Sequence, residues 1–515
     1  MAVPDPTEVA PWYLRNINQA LELDETTGNV FVRTGLASGG NIVITGNVTI
    51  PGEINTHITA IGSLGNITTP YMPIGGNVIV SSGNITAVVS GTVAVSSISS
   101  NVTVVDGGGS ITVDGNVNAT ITGGNVATTI TGTNLDAFGR LRVSNPVTLF
   151  DSQNRYIDGE QFSSITATGG NVVYVANESS FNLNVSTASG SSVIRQSKTV
   201  QGYQPGKSLL IMNTFAMATL KANLTQRVGY FTADNGIYFE AVGTQLNLVI
   251  RSSVTGSIVE ERIPQASWNG NTLLLGTVLD PTLTQIFWCD VEWLGVGNVR
   301  TGFVINGEFI VCHTFQHANQ PGNTTVYMTT ATLNPRYEIT NTGATSGIST
   351  MKQICSTVIS EGGYTPSTKI GYVTNNTTPT RVSSANTVTA LCSIRLNPAY
   401  PDAVVVPAQL DLLLIDVRYG QLQLIENATF TASWSNVAGS VVQTTIHSNV
   451  ITDGTVVYAG LSSSRDEVEI GDDVKKRIQL WRTAAGTPST LTLAVAYTAA
   501  NADLLWKMGW EELSN

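Results

Sequence analysis

Apolar and polar residues in this chain alternate over short runs, the spacing that predicts strands rather than helices. In IFWCDVEW, residues 286–293, Phe287, Cys289, Val291 and Trp293 fall on one face and Trp288, Asp290 and Glu292 on the other. That pattern predicts a half-buried strand with its acids in solvent. FVINGEFIV, residues 303–311, sets Asn306-Gly307 between two apolar runs, the strongest short-range hairpin signal. SLLIMNTF, LNLVIRSS, TVVYAG and LTLAVAY continue the theme. One stretch allows a short helix: in PWYLRNINQALEL, residues 11–23, Pro11 suits a first helical position and Leu14, Ile17 and Leu21 share a face. Glu22, Asp24 and Glu25 then sit at the end the helix dipole disfavours for acids.

From Gly28 to Leu135 the texture differs. Glycine followed by Asn and then Val or Ile recurs at 28, 40, 46, 65, 76, 83, 115 and 124, with strand-like runs such as NIVITGNVTI and NVTVV between. The spacings follow no fixed period, so the regular coils of a single-chain β-helix are not expected. Only Arg33, Glu53, Asp106 and Asp114 are charged in the region. Strands this short bury their apolar faces best against identical copies around an axis. The expectation is a slender intertwined β-fibre, with Thr, Ser and Asn keeping its outside wet.

Composition sharpens this. Charged residues make up 12% of the 515, against roughly 25% in an average soluble protein, while Gly, Thr, Ser, Asn and Val fill the difference and favour β-structure. The net charge is −11 and the first lysine is Lys198, which argues against a nucleic-acid partner. MAVPDPTEVA lacks the basic start and apolar core of a secretion signal, and no run of about 18 apolar residues is present to span a bilayer. Cys289, Cys312, Cys355 and Cys392 lie far apart in apolar contexts and read as free buried thiols of a reducing compartment.

Four regions follow: a docking segment at 1–27, the fibre at 28–135, a globular β-domain at 136–400, and at 401–515 a second β-domain or the completion of the first. The last boundary rests on Pro398, Pro401 and Pro407. The class expected is all-β, with antiparallel jelly-roll-like sandwiches beyond the fibre.

PWYLRNINQALELDETTGNV, LDAFGRLRVSNPVTLFDSQNRY, WLGVGNVRTGFVINGEF and STMKQICSTVISEGGY resemble segments of structural proteins of tailed bacteriophages, particularly those that infect cyanobacteria. The resemblance covers the N-terminus and most of 136–400. It implies a virion component, a fibre or appendage, and brings no catalytic residues with it.

Candidate chemistry is sparse. QGYQPGKS, residues 201–208, has three residues between Gly202 and Gly206 where a phosphate loop needs four, and strand-like SLLIM follows. An ordinary turn is expected there. VCHTFQHANQ places His313 and His317 near Cys312 without a third ligand of standard metal spacing. Asp290 and Glu292 are the best carboxylate pair for glycoside hydrolysis, since same-face neighbours on a strand lie about 6.6 Å apart, and Trp288 beside them could touch a sugar. Solvated acids on an amphipathic strand are the simpler expectation. SRDEVEIGDDVKKRIQLWR, residues 464–482, switches from acidic to basic across a Gly-Asp turn and reads as a solvated hairpin, or as a contact that registers one subunit against the next.

The sequence is therefore read as a homotrimeric virion fibre or appendage with a head for host-surface glycan or protein, or for another virion protein. It is expected to be non-enzymatic, with no cofactor and no metal. Trp12, Tyr13, Leu14, Ile17 and Leu21 are its candidate virion-docking residues, too few to bury one another in so short a segment. The rivals are a tailspike polysaccharide depolymerase, a capsid decoration protein and a bacterial surface adhesin.

Overall fold

A computed structural model describes residues 21–23, 30–32, 145–156, 161–365, 367–415, 419–462, 465–469 and 478–513. Residues 1–125 and 126–515 form two compact units. In the first, Leu21–Leu23 pairs antiparallel with Val30–Val32. The helix expected over 11–23 is thus corrected at its last three residues: LEL and VFV alternate and meet in register, Leu21 opposite Val32. Trp12, Tyr13, Leu14 and Ile17 lie outside the described residues, as does the fibre apart from Val30–Val32.

The second unit contains two antiparallel sandwiches, as the alternating sequence predicts. In the first sandwich a seven-stranded sheet runs in the order Val259–Pro264, Gln245–Ser252, Gly236–Val242, Leu224–Phe231, Pro335–Asn341, Ser192–Ser197, Phe162–Ala167. Against it packs an eight-stranded sheet ordered Glu308–Phe315, Val299–Ile305, Gln285–Val291, Leu209–Ala216, Ser349–Ser360, Ser180–Val185, Asn171–Val175, with Val147–Ser152 also on Ser349–Ser360. Rings close the gap between the sheets. Phe239 of the seven-stranded sheet lies 5.1 Å from Phe303, 6.1 Å from Phe287 and 6.1 Å from Phe215 of the other. Each such pair adds roughly 0.5–1.5 kcal/mol beyond area burial. Tyr337 also crosses, its hydroxyl donating to the Cys355 carbonyl at 2.9 Å.

The Asn306-Gly307 hairpin forms as its residues require. Both have positive φ, 55° and 84°, and Ile305 pairs with Glu308 across the two-residue turn.

The outer face of the seven-stranded sheet is a ladder of ions. Glu240, fully buried, takes Arg227 Nε and Arg262 Nε, each at 2.8 Å. Arg227 reaches Glu338 at 3.1 Å, and Arg251 reaches Glu260 at 2.7 Å. Guanidinium groups cover the aromatic rings beneath: Arg251 lies 5.1 Å from the Tyr238 centroid and Arg336 lies 5.4 Å from that of Phe231. Such plating lets Phe231, Tyr238 and Val249 be buried on an outer face.

The second sandwich has its own core. One sheet is ordered Thr368–Thr374, Ala502–Leu513, Val404–Leu414, Arg465–Glu469, with Thr380–Val382 also on Ala502–Leu513. The other is ordered Ser435–Asn436, Val442–Ile446, Thr389–Leu396, Thr490–Tyr497, Gly420–Glu426, Thr455–Ser462. The two cores divide between Val358 and Val382, ahead of the boundary read at 400. Pro398 and Pro401 occupy the connection between Thr389–Leu396 and Val404–Leu414, where the chain passes from one sheet to the other. Pro407 sits at a register shift inside Val404–Leu414, a position that tolerates a residue with no N–H to give. These prolines punctuate a sandwich rather than separate two.

The four cysteines are free, three of them buried and Cys355 half-buried. Burial pushes the Cys289, Cys312 and Cys392 thiols well up, which keeps them unreactive.

Candidate functional site

The strand predicted over 286–293 forms as Gln285–Val291, with Phe287, Cys289 and Val291 in the core as expected. Its other face departs from expectation. Trp288 and Asp290 are 3% and 8% exposed, so they do not form a solvated face. Arg300 on the neighbouring strand explains Asp290: the two residues are register partners, and Arg300 Nε donates to Asp290 Oδ2 at 2.9 Å. Burial pushes the Asp290 carboxyl above its ordinary range, against the pull of Arg300. Trp288 is held edge-on by Phe309, centroids 5.5 Å apart. Trp288 Nε1 and Asp290 Oδ1 have no hydrogen-bond partner. Glu292 lies beyond the end of the strand, exposed, its N–H donating to Asn298 O at 3.1 Å. The structure therefore separates the two acids by environment: one sealed against an arginine, the other open at a turn.

The histidines diverge. His313 Nδ1 accepts the Asn269 N–H at 3.2 Å. His317 stacks on Tyr327 at 3.8 Å, with Nδ1 2.9 Å from Gly297 O. Burial lowers the pKa of both. Among the described residues, no group of three His, Cys, Asp or Glu side chains is arranged to hold a metal ion. In QGYQPGKS, Gly206 has φ +84° and the chain turns straight into Leu209–Ala216. The charge-rich 464–482 segment is not a solvated hairpin throughout. Arg465–Glu469 pairs with Val404–Leu414, Ile478 and Leu480 are buried in the second core, and 470–477 lies outside the described residues.

The end of that segment lines a cavity that sequence reasoning missed. Residues 479–484 lie along the first sandwich: Gln479 Nε2 donates to Val200 O at 3.2 Å, the Arg482 N–H to Lys198 O at 3.1 Å, and the Ala484 N–H to Ser163 Oγ at 2.6 Å. Beside this seam a cavity of 340 Å³ opens between the sandwiches. Lys198, Asp234 and Arg336 line it from the first sandwich, and Asp402, Trp481 and Arg482 from the second.

Each side chain is set by its local structure. Asp234 is carried on a turn closed by the Thr232 N–H donating to Asn235 O at 2.8 Å, and Asn235 Nδ2 ties that turn to Thr329 Oγ1 at 2.7 Å. Arg336 is held by Glu338 at 2.7 Å. Trp481 is pinned by backbone and hydroxyl: its N–H donates to Ser489 Oγ at 2.9 Å, and its carbonyl accepts the Ser489 N–H at 2.7 Å. The Lys198 ammonium lies 4.4 Å from the indole centroid. Threonine hydroxyls and the amides of Gln196 and Asn334 fill in the polar lining. An aromatic ring, acids, amides and hydroxyls around an open volume form a site able to hold a small polar ligand by direct hydrogen bonds.

No family model matches the chain, and no curated protein matches it. Among solved structures, a β-1,3-glucanase from Mycobacterium marinum aligns with 12% identity and a TM-score of 0.30, covering 41% of this chain and 98% of that one. A Bacillus licheniformis β-glucanase aligns with 12% identity and a TM-score of 0.27, covering 41% and 96%. The CBM2 module of an evolved Dit protein of Lactobacillus casei BL23 phage J-1 aligns with 7% identity and a TM-score of 0.29, covering 44% and 100%. These likenesses concern the sandwich architecture. They correct one expectation, that the chain is no enzyme: glucanases stand among the structures similar to it. Two acids, Asp234 and Asp402, line the cavity.

Proposed function

We propose that this protein is a carbohydrate-contacting β-sandwich protein of a virion or cell-surface appendage, with the cavity between its sandwiches as the sugar site. The observation that carries the reading is the lining of that cavity, in which an indole, two carboxylates, amides and hydroxyls converge. Sugars present hydroxyls that both donate and accept, and such a lining meets both roles. The resemblance of several sequence segments to tailed-phage structural proteins supports the virion setting.

Isothermal titration calorimetry of residues 1–515 against a panel of host-surface oligosaccharides tests it. At least one should bind, and Asp234→Asn should weaken it by roughly tenfold, the loss of about one charged hydrogen bond. Unchanged affinity in that variant overturns the assignment.

A second reading is hydrolysis at the same place. Asp234 and Asp402 line the cavity from different sandwiches, and glycoside hydrolysis works through a pair of carboxyls. Release of reducing sugar by the wild type, abolished separately in Asp234→Asn and Asp402→Asn, establishes it. Turnover that survives both substitutions removes it.

The appendage reading also expects three chains to share the Gly-Asn-Val region. Three copies of 54.4 kDa give about 163 kDa, which light scattering should report; a stable monomer removes that part. Docking through Trp12, Tyr13, Leu14, Ile17 and Leu21 remains part of the same proposal.

A further inference from the structure

Three cations, Lys198, Arg336 and Arg482, and two acids, Asp234 and Asp402, line the cavity. Arg336 is matched by Glu338 at 2.7 Å. Arg482 bonds neutral carbonyls, donating to Asn397 O at 2.6 Å and Tyr400 O at 3.0 Å. Its Nε has no partner, and Asp402 is the acid that acts on it through space. Asp234 stands exposed on its turn, where water screens it.

Lys198 is a cavity cation that lies on an aromatic ring. Six arginines and two lysines of the described residues form ion pairs with carboxylates. The Lys198 ammonium instead lies over the Trp481 ring. A cation on an indole face is held in place and partly stripped of water, but its charge is not cancelled. It lines the cavity, and its main chain is fixed at the seam by the Arg482 N–H donating to Lys198 O.

We propose that the cavity selects sugars bearing a carboxylate, a uronic-acid unit within an oligosaccharide, with the carboxylate on Lys198 and ring hydroxyls donating to Asp234. This inference rests on the sugar-site reading and adds to it the charge of the ligand. A carboxylate entering beside Lys198 forms a charge-assisted bond with an ammonium already positioned and partly desolvated. The hydroxyl and amide lining favours a sugar acid over a bare carboxylate, because a bare carboxylate leaves that lining unused.

The experiment is calorimetry of the full chain in 50 mM and 300 mM NaCl. The probes are oligosaccharides of galacturonate, glucuronate and mannuronate, each compared with its methyl ester. Acetate and triglutamate serve as non-sugar carboxylates. The expected result is one acid oligosaccharide binding at least tenfold tighter than its ester at low salt, with the gap shrinking at high salt. Lys198→Met should erase the gap between acid and ester. Lys198→Arg, which keeps the charge, should retain part of it and so separate charge from folding. Esters that bind as well as acids overturn the carboxylate preference while leaving the sugar site standing. Acetate or triglutamate binding as tightly as any sugar acid overturns the sugar-acid identity. A Lys198→Met variant that keeps the gap removes Lys198 from the role. Failure of every acid and every ester, together with the neutral members of the host-surface panel above, overturns the underlying site as well.

Discussion

Phe239→Ala should cost the first sandwich about 3–5 kcal/mol, the usual loss for a fully buried phenylalanine. Phe239 is fully buried and touches Phe215, Phe287 and Phe303 on the opposite sheet, so its removal opens a void that rings on three strands would have to fill. Rings held by neighbours on both sides collapse poorly, which places the loss toward the upper end. The second sandwich has a separate core and should keep its own transition. Denaturant unfolding followed by near-ultraviolet circular dichroism and by tryptophan fluorescence tests this. An early transition should move to lower denaturant while a later one stays. A shift worth less than about 1 kcal/mol would mean that the sheets are not joined through this ring.

Glu240→Gln is expected to cost about 3 kcal/mol, because one neutral amide would face two guanidinium groups. Glu240 is fully buried, and each of its oxygens holds an arginine. The partly exposed Arg262 can turn toward water, which holds the figure near the lower end of the range for broken buried pairs. The same ladder has a pH signature. Burial raises the Glu260 carboxyl, but the Tyr238 hydroxyl, Arg251 and Arg262 more than reverse this and bring it to about 2. A carboxyl with a depressed folded pKa binds its proton more weakly in the fold than in the unfolded chain. Its contribution is therefore whole above the unfolded value near 4.5 and is lost as pH falls toward 2. Acid titration of stability should show a decline across that window, smaller in Glu260→Gln. A flat profile there, or a Glu240→Gln protein as stable as wild type, would remove the ladder as a support of the sheet.

Strand identity was legible because it is a local property. Phe287, Cys289 and Val291 alternate into the core as written, and Asn306-Gly307 can hardly be anything but a two-residue turn. What covers the opposite face of a strand is not local. Asp290 lies ten residues from Arg300 in sequence but directly opposite it in register, and only the pairing shows that the acid is sealed. The proline cluster misled for a related reason. Proline marks where a ladder lacks a donor, and that happens at a sheet crossing as readily as at a domain edge. The cavity could not be read at all. Its walls come from turns and strand ends between Gln196 and Gly486, and the motif nearest to it looked like a solvated hairpin. The one usable signal was Trp481, an indole at the basic end of a charged run.

The strand order also constrains how such a chain can be made. Ser349–Ser360 lies between Leu209–Ala216 on one side and Ser180–Val185 and Val147–Ser152 on the other. Ala502–Leu513 likewise joins Thr368–Thr374 and Thr380–Val382 to Val404–Leu414. In each sandwich a middle strand is thus synthesised last. Until it emerges from the ribosome, the strands meant to flank it present open hydrogen-bonding edges to every neighbouring nascent chain. Polysomes translating this message would carry several such half-sandwiches at once, and a translational pause before residue 349 or 502 would prolong the exposure. Yield in a host cell should then depend on codon speed and chaperone supply around those two points more than on the stability of the finished fold.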